Sequence, residues 1–545
     1  MTKIVVGILV VALLPVLLQA VFGYGGHGFA QHVPSWLDLK TLWQLHEWRA
    51  GWAPGANYGL GDPRFTYYPP VSLAVGAGLA LILPFWMVPA AFMWLVFALC
   101  GLGIFFACRQ FIAREDRWKA VLLYMVSPYL LTTALVRFAA AEALTLAWLP
   151  LILMYFHRAV WRGERRAVML LGCLLGLTWI TDVPASIVLL YVLSLAVCVL
   201  AVLRGSVKPL PIVFFAEVIA AALASFYLVP TWIERGWIHA DATQRDRYEL
   251  LFLFTKPRHE PVPLFAIGIW VISLASMVLA ILLTRRGWKS SENRQTTRTW
   301  IVIAAVCLFF ELPLSFGLWK HLPQMRLADF PYRFLAPMGA VLPLMLFAES
   351  TPKRWRITGW IVLGALAILP VCEYGGSKAG FTNLRVLAPV WQNVGYRGWT
   401  EFVPAAAVAP LAPPQVDLVT VVDPAQHPDC NASLESEQDD MQAAGEKTIL
   451  IDSNKLCKVR VGQFFFPYWR AIDDRGIPLP IAPDTDGLLV VSVPAGRHTV
   501  RLKYIVSSPA RTASRVASAI SLGLVLLTIY IPRRRRHLSF SEEAL

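Results

Sequence analysis

The sequence is poor in charge. Asp, Glu, Lys and Arg make up only 15% of its 545 residues, against 57% hydrophobic residues and a mean hydropathy of +0.56. A soluble protein of this size has nowhere to bury so much apolar surface. With long apolar runs recurring along most of the chain, the composition reads as a polytopic membrane protein. Familiar chemical motifs are also missing: there is no CxxC, HExxH or P-loop, so the usual signals of thiolate or protease zinc sites and of Walker-type phosphate loops are absent. Cysteine is scarce. Of the eight, Cys100, Cys108, Cys173, Cys198 and Cys307 lie in apolar runs and read as small buried hydrophobes. Cys430 and Cys457 lie in a polar stretch and can pair if that stretch is extracytoplasmic. The first twenty residues lack a clean small-residue cleavage site, which favours a retained first span over a signal peptide.

The net charge of +14 is not spread evenly. Basic residues cluster between apolar runs, as topology signals and anionic-lipid contacts do, so no nucleic-acid partner is expected. The clusters are Arg109 to Lys119, Arg158 to Arg166, Arg204 with Lys208, Arg285 to Arg298, Lys353 to Arg356, and 533–536. Placing all of them in the cytoplasm puts both termini inside and leaves room for about twelve transmembrane helices. These fall near 4–22, 88–108, 120–136, 143–158, 167–180, 185–203, 210–230, 262–283, 299–317, 334–349, 357–374 and 513–531. Residues 69–86 are short and rich in small residues between prolines, and read as a juxtamembrane or re-entrant helix. Loop 23–68, the Arg137–Glu142 turn, the turn holding Asp182, loop 231–261 and the stretch 318–333 then share the outer face. After Gly375 the chain turns polar, with alternating strand-like segments up to about Arg511. That pattern predicts a β-sandwich of about 110–135 residues, large enough for its own core.

The polar residues of the outer loops admit two readings each. Asp38 and His46 lie near one face of a helical stretch in which Trp36, Leu39, Trp43 and Trp48 can face the bilayer interface. A carboxylate facing an imidazole there suits general-base work or metal ligation; a solvated interfacial helix explains the same pattern. Asp62, Arg64, Tyr67 and Tyr68 belong either to an aromatic loop that binds sugar or lipid phosphate, or to a tight turn. Arg137 and Glu142 either pair with each other or bind phosphate, and Asp182 and the Asp329–Arg333 pair carry the same two readings.

Taken in order, "HVPSW", "NYGLGDPRFTYYPPVS", "SPYLL" with "RFAAAEAL", "WITDVPAS", "FYLVP", "LFLFT", "LPQMRLADFPYRFL" and "FFPYWRA" with "VPAGRHTVRL" resemble bacterial polytopic membrane proteins labelled 6-pyruvoyl-tetrahydropterin synthase-related. These belong among the C-type (GT-C) glycosyltransferase folds. The last segments also look like the domain that ends YfhO-type membrane proteins. The pterin label implies a soluble zinc site with three histidines, and no such set is visible here. The fold resemblance implies transfer of a sugar from a polyprenyl-phosphate carrier, within membrane lipid, to a cell-envelope acceptor at the periplasmic face of the bacterial inner membrane. It implies an acidic residue of the first outer loop as base or ligand to a divalent metal ion, and cationic groups on the phosphate. The expected domains are 1–374 for the transmembrane part, with first outer loop 23–87, then 375–512 for the periplasmic sandwich and 513–545 for the last helix and basic tail.

One departure bears on activity. The family pattern is Gly-His-Asp, three residues, then His, whereas this chain has Gly26, His27, Gly28 and, after three residues, His32. Gly28 can neither take a proton nor bind a metal. The resemblance therefore shifts the catalytic role to Asp38 with His32, or to Glu142. Arg137, Asp62, Arg64, Tyr67, Tyr68, Asp182, Asp329 and Arg333 are the expected substrate-binding residues. The alternative is a protein that binds lipid-linked glycans without transferring them.

Overall fold

The computed structural model describes residues 2–240, 251–253, 255, 264–287, 294–348, 351–376, 383–410, 412–414, 416–422, 429–434 and 446–530. The basic run 533–536, Lys289 and most of the loop between 241 and 261 lie outside them.

Among the described residues, seven helices are long and apolar enough to cross a membrane: Thr2–Phe22, Phe85–Phe111, Arg117–Val136, Val183–Arg204, Phe265–Thr284, Lys353–Gly376 and Pro509–Tyr530. Two bent pairs raise the number to nine if each is one span: Pro209–Leu223 with Ser225–Ile233, turned by 74°, and Arg294–Glu311 with Pro313–His321, turned by 80°. Seven to nine of the roughly twelve expected spans are thus accounted for by these helices. Three apolar runs that read as spans form shorter helices, Leu149–Arg162, Arg165–Trp179 and Leu335–Leu346.

Packing explains the breaks. The run through 138–160 is interrupted before Leu149, where the Tyr124 hydroxyl donates to the Leu146 carbonyl at 2.6 Å. The neighbouring Ala147 carbonyl lies so close to Gly103 that a Cβ there would come within 1.9 Å of it, so only glycine fits. At the first bend, the Phe226 amide donates to the Ser518 hydroxyl of the last helix at 2.9 Å, replacing a bond lost at the break. At the second, Pro313 opens the new direction. Pro70–Ile82 is the short apolar helix expected after Pro69.

The polar C-terminal stretch folds into two antiparallel sheets. One has the order β1 (Val419–Val421), β4 (Cys457–Phe464), β8 (Leu488–Val493), β7 (Ile481–Pro483). The other runs β2 (Asn431–Leu434), β3 (Glu446–Ser453), β9 (Gly496–Tyr504), β5 (Trp469–Ile472), β6 (Pro478–Leu479). Val459, Val461, Leu489 and Val491 from the first sheet share one apolar cluster with Ile449, Ile451, Val500 and Leu502 from the second. The period-2 alternation of the sequence thus points one face of each sheet into a common core. A disulfide joins Cys430, next to β2, to Cys457 at the start of β4, tying the two sheets together.

Candidate functional site

A cavity of about 880 Å³ opens where the helices meet the two-sheet unit. Its wall draws on every outer stretch singled out in the sequence: His27 to His32, Tyr67 with Tyr68, Arg137 with Glu142, Asp182, Tyr227 to Arg235, and Gln324 to Arg333. Trp399, Glu401 and Phe402, just before the first sheet, complete it.

The wall is built on unusual backbone. A π-turn, Thr132–Val136, delivers Arg137, and Phe138 follows with φ of 49°. Gln324 and Asp329 hold φ of 59° on the opposite side. Such conformations cost about 1–3 kcal/mol each and persist where surrounding packing imposes them, commonly at functional sites.

These turns bring charges together. Arg137 Nη1 donates to Glu142 Oε1 at 2.9 Å, the Tyr129 hydroxyl donates to the same oxygen, and Arg333 Nε stands 3.2 Å from Oε2. Arg333 Nη1 also donates to Asp329 Oδ2 at 3.0 Å and to the Ala328 carbonyl at 2.8 Å. Burial alone would raise the Glu142 carboxyl; the charges of Arg137 and Arg333, with hydrogen bonds from Arg137 and Tyr129, outweigh it and hold the group well below the usual range. Arg137 keeps a buried Nε with no hydrogen-bond partner among the described residues, and its guanidinium lies 5.3 Å from the Tyr332 ring centre. Asp182 differs: burial, then the charge of Glu142, pushes its carboxyl up to about 6. One of its oxygens caps the helix Val183–Arg204 by accepting the Ala185 amide at 2.7 Å. His32 is driven the other way, to about 3, by burial and then by His27 and Arg64, so its imidazole is neutral at pH 7. Its buried Nδ1 has no hydrogen-bond partner.

Three expected site residues lie elsewhere. Asp38 is not in the cavity wall: its Oδ2 accepts the Tyr396 hydroxyl at 2.8 Å and the Gly55 amide at 3.1 Å. Asp62 and Arg64 are fully buried and bonded to each other at 2.7 Å, with Arg64 Nη1 on the Ser35 hydroxyl at 2.9 Å. Arg64 also lies over Tyr396 and Trp399, so the cluster braces the cavity wall from behind. Trp36 does not face the bilayer interface. It is fully buried, 4.7 Å from the Phe92 ring, and packs on Gly76 of the short apolar helix. An interfacial helix and a helix buried under another carry the same spacing of tryptophans; the neighbour decides between them.

Gly28 sits against the Arg137 turn. Its amide donates to the Arg137 carbonyl at 3.1 Å, and a Cβ at this position would lie 2.4 Å from the Phe138 carbonyl oxygen. An aspartate cannot be restored there without moving backbone. Gly28→Asp is therefore expected to lower stability by about 1–3 kcal/mol, read from thermal melting of the solubilised protein; a melting temperature equal to wild type would contradict this packing.

The family model for the 6-pyruvoyl-tetrahydropterin synthase related domain, a membrane protein family, matches residues 65–374. The chain belongs to this family. No curated protein matches it. The 6-pyruvoyl-tetrahydropterin synthase related stretch carries Tyr67, Tyr68, Arg137, Glu142, Asp182, Asp329 and Arg333, all in the cavity wall. His32 and Gly28 come from the segment before it, and Trp399 and Glu401 from the segment after it. Among the described residues, no set of three metal donors is assembled in the cavity. Among the described residues, the group of three that brings its ligand atoms together is Asp473, Asp474 and His498, in the two-sheet unit.

Sequence reading missed a second cluster that holds one wall. Arg511 of the last helix donates from Nη2 to Glu234 Oε2 at 2.5 Å and from Nε to the Tyr468 hydroxyl at 2.8 Å. Tyr468 in turn donates to Glu234 Oε1. The Glu234 carbonyl accepts the Tyr67 hydroxyl at 3.0 Å. The only hint in the sequence was Tyr468 inside "FFPYWRA".

Proposed function

We propose that this protein transfers a sugar from a polyprenyl-phosphate-linked donor to a cell-envelope acceptor, at the periplasmic face of the bacterial inner membrane. The observation that carries the reading is the two-sided character of the cavity. Arg137 and Arg333 are buried in it, while Val229, Trp232 and Ile233 form an exposed apolar rim with the Arg235 guanidinium 3.9 Å from the Trp232 ring centre. Paired guanidiniums suit a phosphate, and an exposed apolar rim on a membrane helix suits a lipid chain. Family membership and the apolar helices support the membrane location.

In this reading the acceptor hydroxyl oxygen attacks the anomeric carbon and its proton passes to Asp182. The bond from that carbon to the phosphate oxygen breaks, and Arg137 and Arg333 hold the departing phosphate. Neutral His32 orients the acceptor through a ring nitrogen. Glu142 keeps both arginines aimed, and Asp329 positions Arg333. Asp38, Asp62 and Arg64 support the wall, and no step is routed through a metal. The chain is read as a C-type glycosyltransferase fold over 1–374, a YfhO-like periplasmic β-sandwich over 375–512, and a last helix and tail over 513–545, with both termini cytoplasmic. A membrane-impermeant thiol reagent should label an Arg475→Cys variant in intact spheroplasts; labelling only after lysis would reverse the topology.

Donor binding tests the core of the proposal. Arg137→Gln and Arg333→Gln should each weaken the affinity of the purified protein for a short-chain polyprenyl-phosphate sugar by about ten- to a hundredfold. Unchanged affinity in both variants removes the phosphate site. The packing around Gly28 favours a second reading, in which the protein binds the lipid-linked glycan without transferring it.

A further inference from the structure

The turn between β5 and β6 carries a group unrelated to the cavity. Asp473 is buried, Asp474 is exposed, and His498 reaches them from the neighbouring strand β9. One ligand atom from each residue lies within 4.8 Å of the other two. Oδ1 of Asp473 is already committed to the turn, accepting the amides of Arg475 at 3.0 Å and Ile477 at 2.7 Å.

The imidazole supplies the decisive observation. His498 is 8% exposed, and its Nε2 stands 3.3 Å from the Ala495 carbonyl oxygen. A carbonyl can only accept, so Nε2 carries the proton and, in the neutral ring, Nδ1 presents its lone pair. That Nδ1 is buried and makes no hydrogen bond among the described residues. The atom facing it is Asp474 Oδ1 at 3.6 Å, which is itself an acceptor. Two carboxylates and an imidazole lone pair therefore converge with no donor between them. A metal cation held among them would satisfy all three at once.

One imidazole nitrogen and two carboxylate oxygens form a donor set that Zn²⁺ accepts, with water as a fourth ligand. A ligating histidine that gives its other N–H to a backbone carbonyl is the usual supporting arrangement. We propose that Asp473, Asp474 and His498 form a binding site for a divalent transition-metal ion, zinc by preference, at the edge of the two-sheet unit. Zinc–ligand bonds of about 2.0–2.2 Å would draw the three groups closer than they stand here. Asp474, on an exposed turn, is the one with freedom to move. The ion would fasten the β5–β6 turn to β9.

The test uses the full-length protein in detergent, stripped with a chelator and titrated with Zn²⁺ and separately with Co²⁺. Wild type should bind one equivalent of Zn²⁺ that His498→Gln and Asp474→Asn do not, and its melting temperature should rise with the metal. Co²⁺ should give visible absorption bands that both variants lack. Asp474→Asn alters an exposed side chain, so its loss of binding cannot be put down to misfolding. Wild type that is indifferent to both metals overturns the site. Zinc binding retained in both variants overturns it equally.

Discussion

Replacing Asp182 with Asn is expected to lower sugar transfer by about a hundredfold or more while leaving donor binding in place. Among the cavity carboxylates within the family-matched residues 65–374, Glu142 is engaged by Arg137, Arg333 and Tyr129, and Asp329 is bonded to Arg333. Asp182 has one oxygen on the Ala185 amide and a carboxyl raised to about 6 by burial and by Glu142, close to what a general base near neutral pH requires. Asparagine keeps the helix cap, so the fold should survive the change. A base works in its ionised form. Transfer by wild type should therefore rise with pH through about 6 and then level off, and the residual activity of the variant should lack that limb. Undiminished transfer in Asp182→Asn would sink the assignment. A wild type that binds donor and yields no product with any acceptor would favour the binding protein instead.

Arg511→Met should destabilise the protein by about 3–5 kcal/mol, because it leaves the Glu234 carboxylate buried without its cation. Glu234 is 3% exposed and Arg511 6%. The loss falls on a junction: Glu234 follows the bent helix Ser225–Ile233, Arg511 begins the last helix, and Tyr468 belongs to the two-sheet unit. Adding Glu234→Gln to Arg511→Met should recover much of the stability, since the stranded charge is then gone. Chemical denaturation of the three proteins measures both effects; an Arg511→Met protein as stable as wild type would show that the pair does not hold the units together. Because Tyr227 donates to the Tyr67 carbonyl at 2.8 Å and Tyr67 to the Glu234 carbonyl, the single variant should also weaken donor binding.

Much of the candidate site was legible in the chain. Arg137, Glu142, Asp182, Asp329 and Arg333 stood out because charge between apolar runs is costly unless it faces a cavity or a partner. The structure gathers all five in one wall. Asp38 stood out as a carboxylate near His46 on one helical face, and Asp62 with Arg64 as charges in an aromatic loop; nothing local showed that Tyr396 would occupy Asp38 or Ser35 bond Arg64. Trp399 and Glu401 gave no signal, because their place in the wall depends on a segment more than 300 residues beyond His32 in the sequence.

By itself the sequence determined the membrane class, the apolar helices and the alternating strands of the C-terminal unit. These follow from local hydropathy and from period, which each stretch carries within itself. Tertiary structure alone decided where apolar runs break, as at Ala147 against Gly103 and at Phe226 against Ser518. It also decided which carboxylates face the cavity, and that no side chain fits at Gly28. Those outcomes depend on the backbone and side chains that distant segments bring within contact distance, and no window along the chain contains both partners.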